Sequence, residues 1–431
     1  MRAPAAALAV VTLAGVAGGA AAQILQAPRT LRVPEDVRVV IVGATFAPGF
    51  PRSTELEAAG DVNGDGKRDL LVLNVQGHAG DEARSHLIPG GRLPARLRLD
   101  RLGRHGVTLL RSRNGDRIRA AGDVNGDGRA DLVRCGRRLD VLLGSRSLRF
   151  GRGDTLLGDG CATAAGDVDG DDVDDLLVTE YRAGVRQWIV VFGKRGPRRT
   201  LDLGMLGRIG FRISTGRFGE VEPLGDLNGD GRADLGVIGF NRGSAILRLV
   251  LGRRASGTLV VGERRPVVTS AGFRSFGPAG DVNGDGIGDL AVAESGRACA
   301  VFGRRSWPSR SGCTATRGLI VRGTARAYTV SWLEPAGDVD GDGLSDVLVG
   351  APSVLRQGSD ATGAVYLVYG RREPGRILLP ADSRIIELAG GPKLYNDSFA
   401  EAAGPGDLTA DGRPDVVLGS GWSGDGWVLS P

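Results

Sequence analysis

The chain is built from short apolar runs that are separated by glycine and polar residues. Runs such as DLLVLN, DLAVAE and WIVVFG are four to six residues long and rich in Val, Leu and Ile. Runs of this length and composition, bounded by Gly, predict β-strands rather than helices. They come in groups of four: a semi-polar run as in GCATAAG, two apolar runs, and a fourth after a turn, as in GLIVRG. Each group predicts a sheet of four antiparallel strands.

An Asp-rich phrase stands between the first and second run of every group. It follows the pattern D-x-[DNT]-x-D-[GD]-x-x-D and recurs about every 58 residues. Seven copies occupy residues 23–431 and predict a single seven-bladed β-propeller, an all-β fold in which radial repetition leaves only short strand edges. No stretch is left for a separate catalytic domain. The copies begin at Asp61, Asp123, Asp167, Asp226, Asp281, Asp338 and Asp407.

The two ends of the repeat region carry complementary fragments of one blade. The last copy stops at GWVLSP, which has the pattern of a third strand, and residues 37–44, VRVVIVGA, have the pattern of a fourth. We therefore expect the N-terminal strand to complete the seventh blade. The alternative is a free N-terminal arm.

Residues 1–22 have the features of a secretory signal peptide. Arg2 precedes an Ala-rich apolar stretch, and Ala20, Ala21 and Ala22 form a small-residue cleavage site before Gln23. An Ala-rich membrane anchor is the alternative, although the stretch is short. No run of 18 apolar residues follows, so no membrane-spanning helix is expected. We expect a secreted monomer, or a periplasmic one in a double-membrane bacterium.

The four cysteines fit an oxidising compartment. They are Cys135, Cys161, Cys299 and Cys313, and four cysteines allow three pairings. The short-range choice pairs Cys135 with Cys161 and Cys299 with Cys313. Four free thiols are the alternative.

The Asp-rich phrase places oxygen donors as a calcium loop requires. Ca²⁺ takes about six to eight oxygen ligands, which side chains at positions 1, 3, 5 and 9 and the main-chain carbonyl of position 7 can supply. Closely packed carboxylates repel one another unless a cation lies between them. The sequence therefore predicts calcium as the cofactor, with up to seven ions. The predicted ligands, loop by loop, are Asp61, Asn63, Asp65, Lys67 and Asp69; Asp123, Asn125, Asp127, Arg129 and Asp131; Asp167, Asp169, Asp171, Val173 and Asp175; Asp226, Asn228, Asp230, Arg232 and Asp234; Asp281, Asn283, Asp285, Ile287 and Asp289; Asp338, Asp340, Asp342, Leu344 and Asp346; and Asp407, Thr409, Asp411, Arg413 and Asp415.

Two other interpretations of these loops make different demands on the sequence. An EF-hand begins in the same way but needs an acidic residue at position 12, where this chain has Val, Arg or Leu. A metal-free turn of Asp, Asn and Gly stays open as an alternative. It applies most to the third loop, which has Asp172 where Gly is expected, and to the seventh, which has Thr409 at position 3.

These motifs resemble the FG-GAP repeat, the unit of the propeller in the head of integrin alpha subunits. The best copies are FGPAG before GDVNGDG at residues 276–286, and DVLVGAP with AVYLVYG in the sixth unit. The resemblance covers residues 23–431 and implies calcium in the hairpin between the first two strands of a blade. Similar propellers occur in bacterial secreted proteins, in some lectins and in some polysaccharide lyases, so the resemblance defines the fold better than the role.

The charge distribution argues against a nucleic-acid partner. The net charge is +5, but the loops hold 25 acidic and five basic residues, and many Arg residues follow the third strand of a unit. Turns one–two and three–four lie on the same end of an antiparallel sheet, so the Arg turns should neighbour the Asp loops. A nucleic-acid surface would need uncompensated basic charge and stacking aromatics. The tripeptide Arg152-Gly153-Asp154, which integrins recognise in their ligands, is expected by chance in so Arg- and Gly-rich a chain.

The sequence favours an exported interaction or adhesion module without enzymatic activity, whose partner is an extracellular protein or polysaccharide. Lectin-like sugar binding and a carbohydrate-active enzyme of the polysaccharide lyase type are the alternatives. Connections between second and third strands are longest in blades six, seven and one, and long loops on a rigid scaffold tend to carry binding residues. This predicts a ligand site on the face opposite the calcium loops. The candidate residues are His78, Arg84, Arg356, Asp360 and Trp422.

Overall fold

The computed structural model describes most of the repeat region. The described residues are 29–33, 39–42, 52–76, 83–112, 116–158, 160–182, 185–196, 199–215, 218–241, 244–261, 268–270, 273–294, 296–307, 318–323, 330–351, 364–379, 385–390, 399–420 and 426–429. The predicted signal peptide, residues 1–22, lies outside them. No helix within these ranges has the length and apolar character needed to span a bilayer.

Seven sheets form a seven-bladed β-propeller, which confirms the predicted fold class. Four strands of each blade pair antiparallel in the order one to four, and the first strands of neighbouring blades lie against one another around the centre. The only helical element of the described chain is a 3-10 turn at Gly103–His105. The strands of blades 1 to 3 are Arg52–Gly60, Asp69–Gln76, Ala83–Ile88 and Val107–Ser112; Arg117–Gly122, Asp131–Cys135, Leu139–Leu143 and Gly151–Leu157; and Gly160–Gly166, Asp175–Arg182, Val185–Val191 and Gly210–Ser214. Those of blades 4 to 7 are Phe218–Gly225, Asp234–Asn241, Ser244–Val250 and Val268–Ser270; Phe273–Gly280, Asp289–Glu294, Arg297–Val301 and Gly318–Gly323; Trp332–Gly337, Asp346–Ala351, Ala364–Val368 and Ile385–Gly390; and Phe399–Gly406, Asp415–Ser420, Gly426–Leu429 and Val39–Val42.

The N-terminal strand closes the ring, as the sequence predicts. Val39–Val42 pairs antiparallel with Gly426–Leu429, so that Val39 lies opposite Val428 and Ile41 opposite Gly426. Ile41 is fully buried in the core of this joint. The seventh blade is therefore held together by both ends of the repeat region.

Five blades carry a fifth, parallel strand that the repeat pattern does not predict. In four cases the connection between the third and fourth strands of one blade adds a short strand to the outer edge of the preceding blade. The fifth case is Arg29–Val33, which precedes the fourth strand of blade 7 in the chain and adds to blade 6. The sequence pattern does not predict these strands because they are only three to five residues long. In Thr200–Asp202 and Arg96–Arg98 only the middle residue is buried. The fifth strands of blades 2, 3, 5, 6 and 7 are Thr200–Asp202, Gly257–Val260, Gly375–Leu379, Arg29–Val33 and Arg96–Arg98.

The hydrophobic core lies between neighbouring blades. Alternate residues of the second and third strands face each neighbour, so each cluster draws on two blades, as where Tyr366 of blade 6 is buried against Ala291 of blade 5. Close packing leaves no room for a side chain at Gly236, because a β-carbon there would lie 2.6 Å from the Phe276 ring of the next blade. Side chains of neighbouring blades therefore interlock in the core.

A disulfide joins Cys135 of blade 2 to Cys161 of blade 3. It lies at the end of the blades opposite the Asp loops, beside the Gly136–Gly160 bridge. Cys299 is also disulfide-bonded, whereas Cys313 lies outside the described residues.

Candidate metal centres

The first Asp of every loop shapes the main chain around its own carboxylate. One oxygen of Asp61 accepts hydrogen bonds from the amides of Gly64 and Asp65 at 2.7 and 3.1 Å, and the other accepts from Gly66 at 2.7 Å. Hydrogen bonds from positions 5 and 6 to the first Asp recur in all seven loops. Asp at position 1 therefore wraps the loop into a tight concave turn, which is why the phrase needs a short acceptor there.

The ninth residue of every loop is a fully buried Asp that opens the second strand. Asp289 accepts hydrogen bonds from the amides of Val282 at 2.8 Å and Gly303 at 2.7 Å, and thus ties the loop to the turn after the third strand. The same two contacts recur at Asp69, Asp175, Asp234 and Asp346. Burial raises the pKa of these carboxyls, to about 7 at Asp289 and about 8 at Asp175. Position 9 is therefore part of the scaffold as well as a predicted ligand.

The side chains at position 3 supply buried oxygens that no protein group satisfies. The Oδ1 atoms of Asn63, Asp169 and Asn228 are buried and accept no hydrogen bond. These three side chains are all more than nine-tenths buried. Because an unsatisfied buried oxygen costs about 1–3 kcal/mol, such oxygens fit a site built for a cation. The residues present thus fit the calcium ion that the loop pattern implies.

In two of the loops three carboxylates converge. Oxygens of Asp167, Asp169 and Asp175 lie within 4.8 Å of one another, as do those of Asp338, Asp340 and Asp346. Burial, and next the Asp171 carboxylate, raise the pKa of Asp169. The third and sixth loops therefore hold the densest clusters of carboxylates.

The third loop keeps the shape of the others although Asp172 replaces glycine. Asp172 has φ of 60°, in the left-handed region that Gly66 occupies with 85° in the first loop. Asp tolerates this region better than most residues because its short side chain bonds locally. The substitution is therefore accommodated without loss of the loop.

The seventh loop differs in its internal bonding. The amide of Thr409 donates to Asp415 at 2.6 Å and its hydroxyl donates to the same carboxylate at 3.2 Å. In the first, third, fourth, fifth and sixth loops it is the amide of position 2 that donates to the Asp of position 9. The strand before the loop is also irregular, with a register shift between Ala403 and Gly406. Position 3 here is used to hold Asp415, which leaves the seventh loop the least similar to the others.

The loops are joined into a ring by main-chain hydrogen bonds between blades. The amide of position 8 donates to the carbonyl of position 1 in the preceding blade, as from Ala130 to Asp61 at 2.9 Å. A second bond runs from the turn after the third strand to position 2 of the preceding loop, and Gly91 to Leu408 at 2.7 Å closes the ring between blades 1 and 7. Each loop is thus supported by its neighbour.

Arginines of the turns lie beside the Asp loops, as the charge pattern predicts. Arg254 of blade 4 lies 3.1 Å from the Asp169 carboxylate of blade 3. Arg195 donates to the carbonyls of Asp171 and Asp172 at 3.3 and 3.1 Å. These guanidinium groups offset part of the charge of the third loop.

Of the five residues predicted to bind a partner on blades six, seven and one, the structure describes one. His78, Arg356, Asp360 and Trp422 lie outside the described residues. Arg84 lies in the third strand of blade 1 and is half-buried. Their role stays a prediction.

The Arg152-Gly153-Asp154 tripeptide has a structural role. Asp154 accepts hydrogen bonds from the main-chain amide and the Nε of Arg199 at 2.7 and 2.8 Å, and this contact anchors the fifth strand of blade 2. Gly153 packs so closely that a β-carbon would lie 2.8 Å from Leu143. Gly153 and Asp154 therefore serve the packing of blade 2.

Comparisons with known proteins agree with this architecture. The family model described as FG-GAP repeat matches residues 334–368. Integrin alpha pat-2 of Caenorhabditis briggsae is 29% identical over 63% of this chain and 18% of its own length, and integrin alpha-7 of Rattus norvegicus is 34% identical over 21% of this chain and 8% of its own. The chain thus spans less than a fifth of these curated relatives.

Solved structures resemble the chain only weakly. A chain in the crystal structure of an active polycomb repressive complex 2 aligns with a TM-score of 0.46 and 8% identity, over 92% of this chain and 97% of that one. An exotype rhamnogalacturonan lyase aligns with a TM-score of 0.23 and 12% identity, over 91% of this chain and 72% of that one. Neither likeness carries a functional argument. Residues 334–368 match the FG-GAP repeat, and the chain is a seven-bladed β-propeller similar to the integrin alpha subunits.

Proposed function

We propose that this chain is an exported, calcium-stabilised interaction module without enzymatic activity, in which the propeller presents one face to an extracellular partner. The similarity to integrin alpha chains supports an adhesive role. The signal-peptide pattern of residues 1–22 and the disulfide between blades support export to an oxidising compartment.

Calcium in the seven loops is the structural part of this proposal. The buried, unsatisfied oxygens at position 3 carry it, because they point to a ligand that the protein itself does not supply. Side chains of positions 1, 3, 5 and 9 and the carbonyl of position 7 would hold the ion. A bound calcium would neutralise the clustered carboxylates and thereby stabilise the ring of loops. We assign up to seven ions, of which the seventh should be the weakest because Thr409 is engaged by Asp415.

The histidines that the structure describes do not suggest general acid–base chemistry. His86 is buried, its Nδ1 lies 3.1 Å from the Thr108 hydroxyl, and burial lowers its pKa to about 4. Such a side chain is neutral and packed at neutral pH. His86 is therefore not a candidate general acid or base.

The test is calorimetric titration with calcium, followed by capture of extracellular partners on the immobilised chain. We expect calcium binding with several equivalents, and partners that elute with chelator. A double variant Asp167→Asn, Asp169→Asn should lose about one equivalent. Absence of calcium binding would overturn the cofactor, and release of unsaturated sugars from a uronic-acid polymer would overturn the non-enzymatic assignment.

A further inference from the structure

A large open groove lies on the face opposite the Asp loops, between blades 2 and 3, and reaches blade 4. It has a volume of about 1170 Å³. The short hairpin of blade 2 forms one wall, and the second and third strands of blade 3 form the other. Its lining carries six arginines, namely Arg117, Arg119, Arg134, Arg137, Arg138 and Arg186.

Four of these guanidinium groups are already paired. Arg134 lies 2.8 Å from Asp116, and Arg138 lies 3.3 Å from Asp140. Arg119 pairs with Glu55 and Glu57, and Arg186 with Glu220. Arg117 and Arg137 are exposed and have no carboxylate partner among the described residues. The uncompensated positive charge is therefore concentrated at the blade 2 side of the groove.

The two walls are held rigidly with respect to each other. The Cys135–Cys161 disulfide lies in the groove lining and joins the blades covalently. Beside it, Gly136 and Gly160 exchange two main-chain hydrogen bonds of 3.1 Å. A site on such a support loses little entropy when it binds a ligand.

An aromatic side chain is presented on the opposite wall. Tyr181 is 54% exposed, and the Arg186 guanidinium lies 5.7 Å from its ring centre and donates to its hydroxyl at 3.2 Å. Trp188 beneath it is buried, and its Nε1 donates to the Gly219 carbonyl at 3.2 Å. The tyrosine ring is thus positioned by its neighbours while it stays open to solvent.

We propose that this groove binds an acidic polysaccharide with uronic-acid residues. Arg117 and Arg137 would pair with sugar carboxylates, since a planar guanidinium matches a carboxylate in two-point geometry. The Tyr181 ring offers an apolar surface for a sugar face. The hydroxyls of Thr163 and Thr179, which line the groove, can exchange hydrogen bonds with sugar hydroxyls. The inference rests on the proposed function, in which the propeller is a binding module, and it names the ligand class.

The mixture of groups selects against more densely charged polymers. A nucleic acid presents a phosphate at every unit and stacks its bases on several aromatics, whereas this groove has one exposed aromatic ring. A polyuronide alternates carboxylates with hydroxyl-rich ring surfaces and fits this lining better.

The experiment measures the affinity of the full chain for polygalacturonate, with dextran as the neutral comparison. Replacing Arg117 and Arg137 together by Ala should weaken binding at least tenfold, because the two unpaired cations are lost. The matched control replaces Arg253 and Arg305, exposed arginines on the Asp-loop face, and should bind as wild type. Tyr181→Ala should weaken binding about threefold without changing its salt dependence. Equal melting temperatures of all variants confirm that the fold is intact.

Several results would overturn the inference. Equal affinity for polyglutamate or single-stranded DNA would assign a different polyanion. Loss of binding in Arg84→Ala, with no loss in the groove variant, would place the site in the sector of blades six, seven and one. If the wild type binds no polyuronide yet captures partners that elute with chelator, the groove assignment fails while the proposed function stands. If it binds neither, both fail.

Discussion

Asp289 and Asp285 provide a way to separate the scaffold role of the loops from their metal role. Both are predicted ligands of the fifth loop, at positions 9 and 5. Asp289 is fully buried and accepts from two buried amides, whereas Asp285 is exposed and accepts from Ile287 at 2.9 Å and Asn283 at 3.1 Å. Substitution of either by Ala should abolish calcium at this loop. Only Asp289→Ala should also damage the metal-free fold.

The magnitude follows from the contacts. Each buried amide left without an acceptor costs about 1–3 kcal/mol, so two cost about 2–6 kcal/mol. Burial raises the pKa of Asp289 to about 7, so the folded chain pays to keep this carboxylate ionised at pH 8. Substitution by Ala removes that penalty and offsets part of the cost of the two unpaired amides. We therefore expect Asp289→Ala to lower the free energy of unfolding by about 2 kcal/mol or more in chelator. Asp285→Ala should lower it by less than about 1 kcal/mol, since water can replace the acceptor.

The free energy of unfolding of the wild type and the two variants is measured by urea unfolding at pH 8, first in excess chelator and then in calcium. In calcium both variants should also lose the stabilisation from one bound ion. If Asp289→Ala unfolds in chelator at the same urea concentration as wild type, position 9 is only a metal ligand and the scaffold reasoning is wrong. Calorimetric calcium titration of each variant checks that one site has been removed.

Three further predictions concern the whole ring. Chelator should lower the melting temperature strongly, because each ion at ten times its Kd adds about 1.4 kcal/mol and seven add roughly 10 kcal/mol; equal melting with and without chelator contradicts this. In chelator, the free energy of unfolding should fall as the pH rises from about 4 to 8. Burial raises the carboxyl pKa of Asp175 to about 8, so ionisation costs more in the folded than in the unfolded chain. Calcium should cancel the fall, and a flat pH profile in chelator refutes the assignment. Deletion of residues 37–44 should cause aggregation by exposing the edge of Gly426–Leu429, and a soluble deletion variant with unchanged melting would count against ring closure by this strand.

Local pattern was sufficient for the repeat, the fold class and the ring closure. Each blade repeats the same order of strands and turns, so seven copies of Asp-x-Asn/Asp/Thr-x-Asp predict seven hairpins from the local sequence alone. The fragment of residues 37–44 could be matched to GWVLSP because pairing depends only on which strand of the unit is missing. The predicted metal ligands depend on local sequence too, because a tight turn brings alternating positions together; the structure shows three carboxylates converging in the third and sixth loops.

Contacts between blades could be found only in the tertiary structure. The fifth strands are too short to give a periodic signal. Thr200–Asp202 pairs with the fourth strand of the preceding blade, next to the contact between Arg199 and Asp154. Loop length pointed to blades six, seven and one, but the groove arises where side chains of short hairpins meet across a blade boundary. Arg117 and Arg137 are 20 residues apart in the chain and have nothing unusual in their local sequence. Pairing of Arg117 with Cys135 in the hairpin of blade 2 brings the two arginines to the same end of that blade. Radial packing, which no local pattern encodes, then places Tyr181 of blade 3 in the same groove.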